Sequence, residues 1–260
     1  MSTYHWLTTI KAWLFGQPRP ASLQALQRGG AAGGGQAPQQ LVLDPTTVQN
    51  GIRVTIPEGA VIKPQEQVWL QWASPESEGQ FRTNEQIIPP LVPNTRDFKV
   101  PPEFIRWHIG KSLTVQYEVI ERDTVTTHPS PALAVTVARV TGLPLIQSRQ
   151  IISNRISLQN VANNNGKAEF TLPRWPLAAT DQFVTVKVVG SGPGGEVTVV
   201  VADKLPVPDF AESMPVGHIT LTDLRSFIVN ENLDIKVWVS FDQNAAPPQP
   251  FPTATPQLVA

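Results

Sequence analysis

The stretch Gly190-Ser191-Gly192-Pro193-Gly194-Gly195 satisfies G-x-G-x-x-G, the spacing with which a strand-to-helix turn aims backbone N–H groups at a dinucleotide pyrophosphate. That chemistry needs a helix N-terminus directly after the loop. This loop instead leads into Glu196-Val197-Thr198-Val199-Val200-Val201-Ala202-Asp203-Lys204, a strand pattern, so the residues predict a hairpin loop and no nucleotide cofactor. The four histidines, His5, His108, His128 and His218, form no H-x-x-H or H-E-x-x-H pair, and no G-x-S-x-G elbow is present. They read as scattered surface residues. The carboxylates Asp97, Glu103, Glu118, Glu121 and Asp123 are dispersed, without the D-x-D spacing of oxygen-rich calcium sites, and read as solvated faces and turns. The absence of cysteine removes disulfides, thiolate metal sites and cysteine nucleophiles together. No catalytic residue, cofactor or metal site emerges from this inventory.

Tryptophan is the more informative residue. In Val68-Trp69-Leu70-Gln71-Trp72, period-2 alternation puts Val68, Leu70 and Trp72 on the core face and turns Trp69 outward. The same alternation in Leu233-Asp234-Ile235-Lys236-Val237-Trp238-Val239 turns Trp238 outward. An outward tryptophan is covered by a loop or a neighbouring module, or it is a contact surface for protein or sugar. A formal net charge of -1, with no cluster of Lys and Arg, gives no field for nucleic acid.

The elements that carry these residues are strands. Twenty-six prolines and 17 glycines interrupt helices and suit turns and strand edges, and alternating runs dominate after residue 40. The runs also recur. A constant offset of 116 positions aligns Val54-Thr55-Ile56-Pro57 with Phe170-Thr171-Leu172-Pro173, Val68/Leu70/Trp72 with Val184/Val186/Val188, and Gly79-Gln80-Phe81 with Gly195-Glu196-Val197. Further on the offset drifts to 120 or 121, matching Phe98 with Ile219, and Tyr117 and Val119 with Val237 and Val239. A period this long fits duplicated domains, and short strands with turn residues every ~8 to 12 positions fit antiparallel sandwiches. The boundaries are placed at 41–145 and 146–260.

This module order, a VTIP or FTLP strand, VWLQW, FKVPPEFI, LTVQYEV and then SPALAVTV, resembles the tandem Ig-like repeats of bacterial surface and secreted proteins over residues 41–260. The resemblance implies an all-β chain of two Ig-like antiparallel sandwiches with adhesive, spacer or assembly roles at the cell surface or outside the cell. It carries over no catalytic residue. The second copy departs from the pattern: Val188 stands where the first has Trp72, and five prolines fill the tail from Asn244 to Ala260. A tail so rich in proline is a poor central strand, which predicts an exposed sheet edge that either a neighbouring chain or the tail itself must cover.

Residues 1–40 do not repeat. Trp6, Ile10, Trp13 and Leu14 follow i, i+4, i+7, i+8, so residues 3–15 are predicted as a short amphipathic helix, and Gly29–Gln36 as a flexible tether. A helix this short needs its apolar face buried, against its own sandwich, another chain or, least favoured, a lipid surface. Residues 1–16 lack the basic start and unbroken apolar core of a secretory signal. The leading expectation is a non-enzymatic structural or adhesion protein whose arm mediates attachment or head-to-tail self-association through Trp6, Ile10, Trp13 and Leu14. The alternative is a carbohydrate- or protein-binding module using Trp69 and Trp238. An enzyme with a site between the two domains has the least support.

Overall fold

The computed structural model describes residues 41–56, 62, 66–73, 81–82, 86–87, 97–121, 126–242 and 248–260. The expected arm, with Trp6, Ile10, Trp13 and Leu14, lies outside the described residues. What is described is predominantly β, in several separate sheets, and divides into two compact units between Arg139 and Val140.

The first unit runs β1 (Leu41–Leu43), a 3₁₀ turn (Pro45–Val48), β2 (Ile52–Thr55), β3 (Gln67–Ala73), β4 (Phe81–Arg82), β5 (Gln86–Ile87), β6 (Asp97–Val100), α1 (Pro102–Arg106), β7 (Ser112–Ile120), β8 (Thr127–Pro129) and β9 (Leu133–Val137). One sheet has the order β1-β9-β7-β3-β4, with β5 added to β3 and β8 to β7; β2 and β6 form a second. Leu113, Val115, Tyr117 and Val119 alternate along β7 and meet Val68, Leu70 and Trp72 of β3 and Val54, Phe98 and Val100 of the second sheet in one buried cluster. Burial of this single face is what the alternation encodes, at about 25 cal/mol per Å² of apolar surface. Asp44 caps the 3₁₀ turn by accepting from the Thr46 N–H at 2.9 Å. Pro101 and Pro102 open α1, where a missing N–H leaves no helical bond unmade.

The second unit runs β10 (Ile151–Ile152), β11 (Arg155–Ser157), α2 (Leu158–Asn163), β12 (Lys167–Pro173), β13 (Phe183–Gly192), β14 (Gly195–Pro206), β15 (Ser213–Thr220), α3 (Leu221–Leu224), β16 (Asp234–Ser240), β17 (Gln249–Pro250) and β18 (Gln257–Val259). Its sheets are β14-β13-β16-β17, β12-β15 and β10-β11-β18. Val184, Val186 and Val188 are buried with Ile235, Val237 and Val239 opposite them, and Phe170, Leu172, Val216 and Ile219 are buried on β12 and β15. Thr220 and Asp223 form a reciprocal capping box that starts α3 where β15 stops.

Two registers differ from the sequence expectation. Ile52 pairs with Val100, and Ala168, which lies 116 positions after Ile52, pairs with Ile219. Val100 rather than Phe98 therefore stands where Ile219 stands. Of the two ways expected for covering the edge, the tail itself supplies the cover. The N–H groups of Phe251, Ala254 and Leu258 donate to the carbonyls of Val237, Ile235 and Glu231, while the N–H groups of Leu233 and Asn230 donate to the carbonyls of Pro256 and Leu258. Pro252 and Pro256 fall between the donors and Pro250 just before the first, so the proline count does not prevent pairing.

Candidate functional site

On the solvent face of the β13–β16 pair, Trp238 lies opposite Thr185 on one side and Pro250 of β17 on the other. The ring is half-buried because its neighbours on the strand, Val237 and Val239, take the core face. Lys187 stands directly opposite Lys236, and like charges so placed repel. Two contacts offset the repulsion. The Lys236 ammonium lies 3.4 Å from Asp234, and the Lys187 ammonium lies 6.0 Å from the Trp238 ring centroid, within range of its negative face. Lys187 has no carboxylate partner among the described residues, so the face offers an indole and one ammonium to an incoming anionic or hydroxyl-rich group.

Trp69 does not join it. Although its side chain is on the opposite face of β3 from Trp72, it is only 5% exposed, so the second face of that strand is covered as well. His108 departs from the expectation of surface histidines, for it is buried. Its ring meets Trp72 edge to face, with centroids 6.1 Å apart. Nδ1 lies 2.6 Å from the Phe104 carbonyl and 3.4 Å from the Trp72 indole nitrogen. A carbonyl accepts only from a protonated nitrogen, and the shorter contact assigns the hydrogen to Nδ1; the indole N–H then packs against the ring without a hydrogen bond to Nδ1. Among the other histidines, His128 and His218 are exposed, and His5 lies outside the described residues. Asp97 sits on β6, where it accepts from the Arg53 guanidinium at 3.0 Å and from the Thr55 hydroxyl at 2.5 Å, locking β2 to β6.

The Gly190–Gly195 stretch is the closed end of the β13–β14 hairpin, with Gly192 paired to Gly195 and strand continuing to Pro206. Two of its glycines, Gly190 and Gly192, are required by packing. A Cβ at Gly190 would meet Leu233 Cδ2 at 2.8 Å and Phe227 Cδ1 at 2.9 Å, and one at Gly192 would meet the Ser226 carbonyl oxygen at 2.9 Å. The loop is held from the far side as well, since the Ile228 N–H donates to the Ser191 carbonyl at 2.8 Å.

A groove of about 430 Å³ opens on the second unit between the segments 145–148 and 253–256. Leu145, Ile146, Ile151 and Pro256 supply apolar walls, and Gln147, Asn154 and Thr255 supply neutral polar groups; none of its ten lining residues is titratable. It has therefore no acid or base with which to move a proton. Among the described residues no group of three His, Asp or Glu side chains is placed to hold a metal ion, and no helix is long and apolar enough to cross a membrane.

One polar device has no signature in the sequence. Gln182 is fully buried; its Oε1 accepts from the Trp175 indole N–H at 3.1 Å, and its Nε2 donates to the Leu177 carbonyl at 2.6 Å. Leu177 itself is held at φ 65°, a left-handed conformation unusual for a non-glycine residue. The clamp fixes the loop between β12 and β13. A single glutamine in a loop carries no pattern by which it could be found beforehand.

No family model matches the chain, and no curated protein matches it.

Proposed function

We propose that the chain is a non-enzymatic structural or adhesive protein built from two tandem Ig-like sandwiches of the kind that bacterial surface and secreted proteins use to space and present contact surfaces. One observation supports the reading: the central pairs of strands are alike in the two units, although β9 belongs to the main sheet of the first unit and β18 to a separate sheet of the second. Val68 pairs with Val119, Leu70 with Tyr117 and Trp72 with Val115; Val184 pairs with Val239, Val186 with Val237 and Val188 with Ile235. The parallel pair β1–β9 has its counterpart in the parallel pair β11–β18, and α1 and α3 each follow the second strand of the smaller sheet. A sandwich closed around an apolar core offers its faces, edges and loops for contact, and attachment in this reading is made by the arm, through Trp6, Ile10, Trp13 and Leu14.

Sedimentation velocity of the full chain and of its Trp6→Ala/Trp13→Ala variant tests the arm. Association that depends on concentration and is lost in the variant is the expected result. A full chain whose association is unaffected by the variant removes the arm from the proposal.

A second reading is favoured by the Trp238 face. An indole flanked by Lys187 suits a sugar ring bearing an acidic group, with stacking on the ring and an ion pair to the ammonium. Titration with uronic-acid oligosaccharides, followed by tryptophan fluorescence, is expected to saturate for the full chain and to fail for Trp238→Ala. Equal responses from both would dismiss this reading.

A further inference from the structure

We propose that two copies of the chain associate by pairing their β14 strands antiparallel over Glu196–Val200, about a two-fold axis at Thr198. The inference supplies a second surface for the self-association above and rests on that reading, but it involves different residues.

The edge is unusual for its length and chemistry. Among the described residues β14 pairs only with β13, and it is 12 residues long, whereas the other terminal strands of the multi-stranded sheets have two or three. Gly192 and Gly195 close a two-residue hairpin, and Gly190–Val197 and Val188–Val199 continue the same class of pair. Gly195, Val197 and Val199 therefore turn their backbone groups toward β13, while Glu196, Thr198 and Val200 turn theirs to the free side. Past Val200 the edge is closed, because a Cβ on Gly217 of β15 would lie 3.0 Å from the Val201 carbonyl oxygen. What is left is a five-residue template with no proline and with Val200 54% exposed. Natural sheets blunt such edges or use them to accept a strand.

Charge identifies the strand as a second copy. Pairing about Thr198 sets Thr198 against itself, a favourable cross-strand pair, and sets Val200 against the partner's Glu196. On the solvent face Val200 is also directly opposite Lys187 of β13. Lys187, Val200 and the partner's Glu196 thus form one row across the joined sheets, with the two charged residues about 10 Å apart at Cα, two strand spacings, which their long side chains bridge. Neither Lys187 nor Glu196 has an ion-pair partner among the described residues. The two-fold axis makes this pair twice, and the contact is isologous and closes at a dimer.

Sedimentation velocity across the micromolar range, with circular dichroism as the check on folding, tests the interface in the full chain. Thr198→Pro removes a donor that faces only the free side and is expected to abolish the dimer. Lys187→Glu and Glu196→Lys are each expected to weaken it by roughly fivefold to tenfold, and the double reversal to restore it. The chain has no cysteine, so Thr198→Cys carries a single thiol. Opposed positions of an antiparallel pair are ~5.5 Å apart at Cα, within disulfide range, and mild oxidation is expected to link Thr198→Cys chains far faster than chains bearing the exposed control Thr222→Cys. A full chain that stays monomeric, charge reversals that do not compensate, or equal oxidation of the two thiols would each overturn the proposal. Association that survives Thr198→Pro but disappears in Trp6→Ala/Trp13→Ala overturns it too, and leaves the arm as the contact. Loss in Thr198→Pro with retention in the arm variant supports β14 and removes the arm.

Discussion

Replacing Gln182 by leucine keeps side-chain volume and burial while removing both polar atoms. The Trp175 indole N–H and the Leu177 carbonyl then lose their partners inside a site where Gln182 is fully buried and Trp175 is 2% exposed, so water does not replace them. An orphaned buried donor or acceptor costs about 1–3 kcal/mol, and two of them set the expected loss at about 2–6 kcal/mol. Trp175→Phe removes the indole donor but keeps an aromatic ring between Phe210 and Phe251, whose centroids both lie 5.5 Å away. In the double variant Trp175→Phe/Gln182→Leu the donor and its acceptor are both gone. The combined loss should therefore fall short of the sum of the single losses by about 1 kcal/mol or more. The assay is urea unfolding of the four chains, followed by far-ultraviolet circular dichroism. A change below about 1 kcal/mol in Gln182→Leu, or strictly additive losses, would refute the claim that this glutamine satisfies the loop rather than merely filling it.

Trp72→Ala, at a position 1% exposed in the first core, should cost about 3–5 kcal/mol in the same unfolding assay, since the loss combines transfer and cavity terms. Thr220→Ala removes one half of the α3 capping box and should cost about 1 kcal/mol, with Thr220→Ser recovering most of it. Gly190→Val drives a side chain into Leu233 and Phe227 and should cost about 1–3 kcal/mol, measured as a lower midpoint of urea unfolding.

The strands with one dry and one wet face were legible from residue types, because period-2 alternation reports a difference between faces: β7, β13 and β16 each bury every second residue. Which of the two fates of an outward tryptophan Trp69 meets was open for the same reason. Where both faces are covered, alternation sorts residues between faces but says nothing about which face is wet. The Phe98 alignment failed differently. A slip of two along a strand preserves every inward and outward assignment, so only the partner's register, Ile52 with Val100 and Ala168 with Ile219, distinguishes the alternatives. Burial of His108 depends on the segment after α1 folding toward Trp72, a tertiary contact between positions 36 residues apart that no local pattern announces. The β13–β14 loop was read correctly as a hairpin because the residues after it alternate as a strand. The reason for Gly190 and Gly192, however, comes from Ser226, Phe227 and Leu233, which sequence places more than thirty positions away.

The four-stranded sheet of the second unit treats its two sides in opposite ways. Beside β16 the chain lays down a tail whose donors are Phe251, Ala254 and Leu258 and whose intervening prolines have no hydrogen to offer a further strand. That side is paired inward by the tail, whose last strand, β18, is itself taken up by β11. Beside β13 it lays down β14, whose outward positions between Glu196 and Val200 include no proline and no lysine. Proline there would cost little, since the N–H groups of Thr198 and Val200 face away from β13 and serve no bond among the described residues, and it would protect the edge as it does in the tail. Thr198→Pro therefore separates two accounts of β14. If folding alone selected its residues, the substitution leaves both stability and particle mass unchanged; if the open edge is a contact, stability holds and the mass falls to that of one chain.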